Sequence, residues 1–187
     1  IREKIATWRR LGDPEEGGHP NIVRVIDYGE RPAIHIVMEL CQKDLRTLLN
    51  ERGRLTPEEA VNIAIQVMEA LEYAHHCGVV HRDIKPENIL ICGGRVKVSD
   101  WEIAKVLLRA STRSGYVGTP LYSAPEQLDP EAYGGVDWRT DVWQVGCLLY
   151  EMLEGSPPFH AEYPGQLVLR ILNEKPAPFK YTPKWLR

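Results

Sequence analysis

One short stretch of the chain carries an unusual set of polar side chains: residues 81–88, with the sequence His-Arg-Asp-Ile-Lys-Pro-Glu-Asn, directly before an apolar run. An aspartate in a turn is usually a local hydrogen-bonding residue. Here Asp83 is accompanied by Lys85 and Asn88, and Asp100 follows at the end of the next strand-like segment. A base, a cation and oxygen ligands suited to Mg²⁺ are the parts that phosphoryl transfer uses. The stretch therefore predicts a site at the ends of several elements, in a fold that mixes helices and strands.

Composition and charge exclude several other classes of protein. With 43% hydrophobic and 26% charged residues, the 187-residue chain has the composition of a globular domain or of a large piece of one. A net charge of -3, from 26 acidic and 23 basic residues, gives no surplus to attract nucleic acid or an anionic membrane. The nearly apolar run 145–153 is far shorter than the ~20 residues that span a bilayer. We expect no nucleic-acid partner and no membrane segment in this chain.

The four cysteines point to a reducing compartment. Cys41, Cys77, Cys92 and Cys147 form no Cys-x-x-Cys pair and have no histidine at the spacing of a zinc site. Because cytosolic proteins keep their thiols reduced, we expect four free cysteines and a cytoplasmic protein.

Apolar residues at helical spacing predict five helices. They cover residues 1–11, a segment from Asp44 to Gly53, residues 57–76, 138–154 and 166–174. The third is defined best, since Thr56 and Glu59 form a capping box and Pro57 takes the first helical position. The fourth is apolar almost all round, which places it in the core.

Runs of β-branched residues predict two hairpins. Residues 21–28 and 33–39 form the first, which should be buried on one face, and residues 89–92 and 95–99 flank the tight turn Gly93-Gly94. From 101 to 126 the apolar period is weak, which is typical of a long functional loop. The whole pattern is α+β.

Five motifs, in order along nearly the whole chain, resemble the signature of eukaryotic-type protein kinases. Residues 81–88 resemble the catalytic loop, and Asp-Trp-Glu at 100–102 stands where the family has Asp-Phe-Gly. The others are 118–126, like the end of the activation segment, 141–146, like the start of the central helix, and 19–23, like the entry to the fourth strand. The resemblance implies a two-lobe fold, with a remnant of the N-lobe at 1–40 and a mostly helical C-lobe at 41–187.

The resemblance also implies roles for the site residues. Asp83 would accept the proton of the substrate hydroxyl, Lys85 would contact the γ-phosphate of ATP, and Asn88 and Asp100 would hold Mg²⁺. Lys85 together with Thr119 is the pattern of serine/threonine kinases, in which Thr119 helps to place the acceptor hydroxyl of a protein substrate.

The adenine site is implied at 38–41, where the family has its hinge. Met38 would be the gatekeeper, Glu39 and Cys41 would offer their backbone, and Leu90 would lie beneath the ring. Burial in an ordinary core explains Met38 and Leu90 equally well.

The family's regulatory spine aligns with Trp8, Val25, His81 and Trp101, where Trp101 is larger than the usual phenylalanine. Its size predicts a bias between the active and inactive arrangements. Arg82 suggests regulation by phosphorylation of the loop, with Ser111, Thr112 and Ser114 as candidates.

Three departures from the family matter. The glycine-rich loop, the third-strand lysine and the last helices of the large lobe do not occur in the 187 residues, so the chain alone is expected to bind ATP weakly and to transfer phosphate negligibly. Lys4 stands in the register of the helix glutamate, with Glu3 one residue away. Glu102 replaces a glycine whose backbone flips in many kinases. These departures leave a second class open, a pseudokinase that binds or scaffolds partners without turnover.

Overall fold

The computed structural model describes residues 2–31, 33, 35–101 and 120–186. This part of the chain forms helices α1 (Arg2–Gly12), α2 (Leu45–Arg52), α3 (Pro57–His76), α4 (Pro125–Leu128), α5 (Pro130–Tyr133), α6 (Trp138–Glu154) and α7 (Pro164–Asn173). Its strands are β1 (Val25–Gly29), β2 (His35–Met38), β3 (Lys43–Asp44), β4 (Ile89–Cys92) and β5 (Arg95–Val98), with 3₁₀ turns at Pro14–Glu16, Pro86–Asn88 and Lys184–Leu186. The α+β class is confirmed.

The strands form two antiparallel sheets. β1 pairs with β2, while β3, β4 and β5 follow one another in the second sheet. The turn between β4 and β5 uses Gly93 and Gly94 with φ of 60° and 82°, the left-handed backbone that a two-residue hairpin turn requires. Pairing of Asp44 with Leu90 ties the segment after β2 to this hairpin.

The helix pair α3 and α6 forms the centre of the domain. α3 begins as predicted, because Thr56 Oγ1 accepts a hydrogen bond from the Glu59 N–H at 3.3 Å and Glu59 Oε2 accepts one from the Thr56 N–H at 3.0 Å. Its apolar face packs against α6, which is largely buried. α6 also carries buried polar side chains, and two of them, Asp141 and Gln144, accept hydrogen bonds from the backbone of the loop 81–88.

One hydrophobic core runs from α1 to α6. Ile5, Trp8 and Leu11 bury the predicted face of α1 against it. The indole N–H of Trp8 is buried, and its Nε1 donates to the carbonyl of Val23 at 2.9 Å. Of the helices described, none has both the length and the apolar character needed to cross a bilayer.

Two expectations are corrected by the fold. Cys41 and Cys92 form a disulfide, whereas Cys77 and Cys147 are free as expected. The pairing of β3 with β4 brings the Cα atoms of the two cysteines, 51 residues apart in sequence, to 4.4 Å, and local spacing cannot reveal such a contact. The hairpin β1–β2 is buried on one face only in part: Val25 lies in the core and Tyr28 and Ile36 pack against it, whereas Ile26 and Val37 on the other face are 50% and 45% exposed.

Candidate active site

The loop 81–88 runs between α3 and β4 and brings three of the predicted site residues together. Lys85 Nζ donates to Asp83 Oδ2 at 2.8 Å. Asn88 Nδ2 donates to the Asp83 carbonyl at 2.8 Å and to Asp83 Oδ2 at 3.2 Å. Asp83 and Lys85 are about one-third exposed, while Asn88 is buried. The Asp83 carboxylate is therefore oriented from two sides and still reaches the surface.

Asn88 and Asp100 have the donor chemistry of a divalent cation site. Because the amide nitrogen of Asn88 bonds to Asp83, its oxygen is the atom available to a cation. Burial raises the pKa of Asp100; His81 and Lys85 oppose this effect and Asp83 adds to it. In the described ranges no group of three or more His, Cys, Asp or Glu side chains could hold a metal. A cation here would take one carboxylate and one amide oxygen, with phosphate and water oxygens completing the shell.

Backbone strain marks both ends of this site. Arg82 has φ of 68° and Asp100 has φ of 60°, left-handed conformations that cost a residue with a side chain about 1–2 kcal/mol. Such residues persist where surrounding contacts hold them, and they cluster at functional sites. No sequence pattern indicated them.

Asp141, in the first turn of α6, supplies the strongest of these holding contacts. It is fully buried, and Oδ1 accepts the Arg82 N–H at 2.7 Å while Oδ2 accepts the His81 N–H at 2.9 Å. His75, from the last turn of α3, places Nε2 at 2.7 Å from the same Oδ2. One carboxylate therefore joins α3, the loop and α6.

A second clamp comes from Gln144, one turn further along α6. Its Oε1 accepts the Ile84 N–H at 2.8 Å and its Nε2 donates to the Arg82 carbonyl at 3.1 Å. Gln127, on α4, donates to the same carbonyl at 2.9 Å. Sequence reasoning matched Asp141 and Gln144 to a helix motif but missed their role. Polar residues inside an otherwise apolar helix were the available signal.

His81 is held as a neutral ring at the centre of the site. Burial lowers its pKa, so one ring nitrogen carries a proton: Nε2 donates to the Ser99 carbonyl at 2.8 Å and Nδ1 accepts the Asp83 N–H at 3.2 Å. Trp101 packs edge-on against this ring, with centroids 4.7 Å apart. Its Nε1 donates to the Val98 carbonyl at 3.2 Å, so the larger ring is accommodated with its polar atom satisfied.

The other two spine residues, Trp8 and Val25, are also fully buried. All four side chains that the kinase resemblance aligned therefore lie inside the core, as a spine requires.

The predicted hinge residues begin with Met38, the last residue of β2, and continue toward β3. Met38 is 37% exposed, which is inconsistent with an ordinary core position, whereas Leu90 packs partly buried against the core. Glu39 Oε1 accepts hydrogen bonds from Lys97 Nζ at 2.6 Å and from the Arg24 N–H at 2.7 Å. Cys41 is bonded to Cys92, so the assignment to adenine can involve only its backbone.

The remaining sequence predictions fall on residues, or in one case on a side chain, that the structure does not describe. These are the role of Thr119, the substitution Glu102, the side chain of Lys4 and the candidate phosphorylation sites Ser111, Thr112 and Ser114. Glu3, the neighbour of Lys4, lies exposed on α1.

A loop that groups Asp83, Lys85 and Asn88 and is held on a buried central helix is the arrangement expected of a kinase-type domain. The family model described as "Protein kinase domain" matches residues 11–185. The chain belongs to the protein kinase domain family.

Relatives of this chain come from bacteria and from an animal. It is 39% identical over 171 residues to a probable serine/threonine-protein kinase PknB of Corynebacterium glutamicum, covering 86% of this chain and 26% of the relative. It is 36% identical over 170 residues to serine/threonine-protein kinase PknB of Mycobacterium leprae, covering 86% and 27%. Serine/threonine-protein kinase 36 of Pongo abelii is 37% identical over 159 residues, covering 83% and 12%. The chain thus spans about a quarter or less of the length of these relatives.

Proposed function

We propose that the protein of which this chain is part is a serine/threonine protein kinase, which transfers the γ-phosphate of ATP to a hydroxyl of a protein substrate. The observation that carries the proposal is the contact of both Lys85 Nζ and Asn88 Nδ2 with the Asp83 carboxylate, at 2.8 Å and 3.2 Å. The names of the relatives support the serine/threonine class.

Each residue then has a chemical task. Asp83 orients the acceptor hydroxyl and takes its proton, and Lys85 offsets charge on the transferring group. Asn88 and Asp100 would hold Mg²⁺, which neutralises phosphate charge when bound. Thr119 is assigned to the acceptor hydroxyl.

The adenine ring is assigned to the segment after β2. The backbone of Glu39 and Cys41 would meet its edge, with Met38 behind it and Leu90 beneath it. In support, Gln42 N–H donates to the Ile91 carbonyl at 3.0 Å, which fixes this segment against β4.

The lobe division belongs to the same proposal. Residues 1–40 are assigned to the small lobe and 41–187 to the large lobe. The two separate sheets, β1–β2 and β3–β4–β5, support a boundary between β2 and β3.

The assigned compartment is the cytoplasm, where ATP is supplied. Disulfides are rare there, so the Cys41–Cys92 bond speaks against this assignment. Fractionation of cells that make the full-length protein tests it, and recovery outside the cytoplasmic fraction would contradict it.

The function is tested with the full-length protein, Mg²⁺ and radiolabelled ATP, on a mixture of protein substrates. Asp83→Asn should lower the rate at least about 10²-fold, the usual contribution of a positioned base. Asp13→Asn is the matched control, because Asp13 caps a remote turn and asparagine caps equally well. Nucleotide binding without transfer by the wild type, or equal rates for the two variants, would favour a pseudokinase.

A further inference from the structure

Arg46 joins four separate parts of the domain through one side chain. It lies in the first turn of α2, where Nε donates to Glu87 Oε1 at 2.9 Å and Nη1 donates to Glu151 Oε1 at 2.7 Å. Nη2 donates to the hydroxyl of Tyr122 at 2.6 Å and approaches Glu151 Oε2 at 3.4 Å. Glu87 belongs to the loop 81–88, Glu151 to α6, and Tyr122 to the segment that enters α4.

In this cluster the guanidinium of Arg46 lies against two carboxylates, those of Glu87 and Glu151. The Glu151 side chain is only 5% exposed, Arg46 is 26% exposed, and Glu87 is 45% exposed. Tyr122 is buried and donates its hydroxyl to Glu151. Burial lowers the pKa of Arg46, but hydrogen bonds to Glu151 and Glu87 outweigh it and raise that pKa above its ordinary value. Arg46 is therefore the cation that both carboxylates contact.

The cluster is joined through Glu87 to the loop that carries Asp83. Glu87 follows Lys85 by two residues, and Lys85 contacts Asp83 at 2.8 Å. Gln127 joins the segment after Tyr122 to the loop through the Arg82 carbonyl. Loop 81–88, the segment 120–127 and α2 therefore meet at Arg46. If a polypeptide brought a hydroxyl to Asp83, residues next to that hydroxyl would come near this junction.

We propose that Arg46 is a specificity-determining residue, whose guanidinium occupies an acidic subsite for the substrate and so removes any preference for arginine at that position. Its paired bonds to Glu151 are the bonds that a substrate arginine would make to a carboxylate. The internal arginine makes them without the loss of freedom that an incoming side chain suffers. A substrate arginine therefore gains nothing at this position. The inference rests on the proposed function.

The test compares peptides in which arginine is moved through each position on both sides of one serine. The full-length protein is assayed as wild type, Arg46→Ala and Arg46→Lys. For the wild type and for Arg46→Lys, the kcat/KM values of the arginine peptide and the alanine peptide should agree within about twofold at every position. Arg46→Ala should favour arginine at one position by at least about tenfold, the factor that a hydrogen bond to a charged group provides.

Two further variants keep the test decisive. Arg46→Gln, whose amide still donates to Glu151 while Glu87 is freed, covers the case in which Arg46→Ala does not fold, since an uncompensated buried carboxylate is costly. The double variant Arg46→Ala/Glu151→Gln should lose most of the new arginine preference.

A merely structural role predicts a different result, in which all peptides lose kcat/KM alike and no arginine preference develops. That result, or a wild-type preference for arginine that Arg46→Ala weakens, would overturn the inference. Binding of the same peptides, measured by fluorescence anisotropy, makes the comparison without turnover. If the wild type transfers no phosphate, the proposed function is refuted, while the binding measurement still tests the inference about Arg46.

Discussion

Asp141→Asn is the change that most directly tests how the loop 81–88 is held. The carboxylate accepts hydrogen bonds from two backbone N–H groups, of His81 at 2.9 Å and Arg82 at 2.7 Å, and lies 2.7 Å from His75 Nε2. An asparagine has one acceptor oxygen and one donor nitrogen. At least one of these donors must then face another donor inside the protein.

The expected cost follows from these contacts. A hydrogen bond to a charged group contributes about 1.5–3 kcal/mol, and a buried donor left unpaired costs about 1–3 kcal/mol. Since the lost bond also helps to hold the left-handed backbone of Arg82, we expect a loss of about 3 kcal/mol in the free energy of unfolding. In a domain of this size that lowers Tm by about 6–12 °C. A displacement of the loop by about 1 Å would lower kcat about 10²-fold.

Thermal unfolding, followed by tryptophan fluorescence, and phosphate transfer measure the two effects. Asp137→Asn is the matched control: Asp137 is the N-cap of the same helix and accepts the Arg139 N–H at 2.8 Å, and asparagine is an equally good cap. If Asp141→Asn and Asp137→Asn have the same Tm and the same kcat, the argument that Asp141 holds the loop is refuted.

Two other predictions concern the C-terminal segment and the disulfide. Burial alone raises the pKa of Glu154, but hydrogen bonds from Thr182, Lys180 and Tyr181 lower it to about 2 from the ordinary 4.5. This depressed pKa stabilises the fold above pH 4.5 by about 3 kcal/mol, and the stabilisation is lost as the pH falls from 4.5 toward 2. Glu154→Gln should therefore flatten the dependence of Tm on pH between these two values. An unchanged slope would contradict this prediction. Reduction of the Cys41–Cys92 disulfide, which closes a 51-residue separation, should destabilise the domain by as much as about 4 kcal/mol. The free energy of unfolding, measured with and without reductant, should fall on reduction in the wild type and stay unchanged in Cys92→Ser. An equal fall in the wild type and in Cys92→Ser would contradict the prediction.

Local sequence signals predicted the parts of the fold that local chemistry determines. The capping box at Thr56 and Glu59 fixed the start of α3 because both hydrogen bonds lie within one turn. Gly93-Gly94 identified the β4–β5 turn because a two-residue hairpin needs positive φ at both positions. The grouping of Asp83, Lys85 and Asn88 was likewise predictable, since five positions of loop cannot separate them far.

Contacts between distant parts of the chain were not predictable in this way. Arg46 and Glu151 are 105 residues apart in sequence, and neither carries a sign that the other exists. Cys41 and Cys92 meet only because β3 pairs with β4. The positive φ of Arg82 and Asp100 likewise depends on contacts from other elements, so no property of those residues indicates it.

One helix nevertheless carried a readable sign of most of these contacts. α6 is largely buried, yet it bears Asp141, Gln144, Glu151 and Glu154, at intervals of three, seven and three residues. Residues at these intervals lie along one side of a helix. A buried polar group is costly unless it is hydrogen-bonded, so each must find a partner from another element.

Their partners lie in several other parts of the domain. Asp141 and Gln144 bind the backbone of the loop 81–88, Glu151 binds Arg46 and Tyr122, and Glu154 binds residues 180–182. Under the proposed function the loop 81–88 contributes the reacting side chains, and α6 holds the backbone of that loop in place. Substitutions on this side of α6 should therefore lower stability and activity together, whereas substitutions of Asp83 or Lys85 should lower activity with little loss of stability.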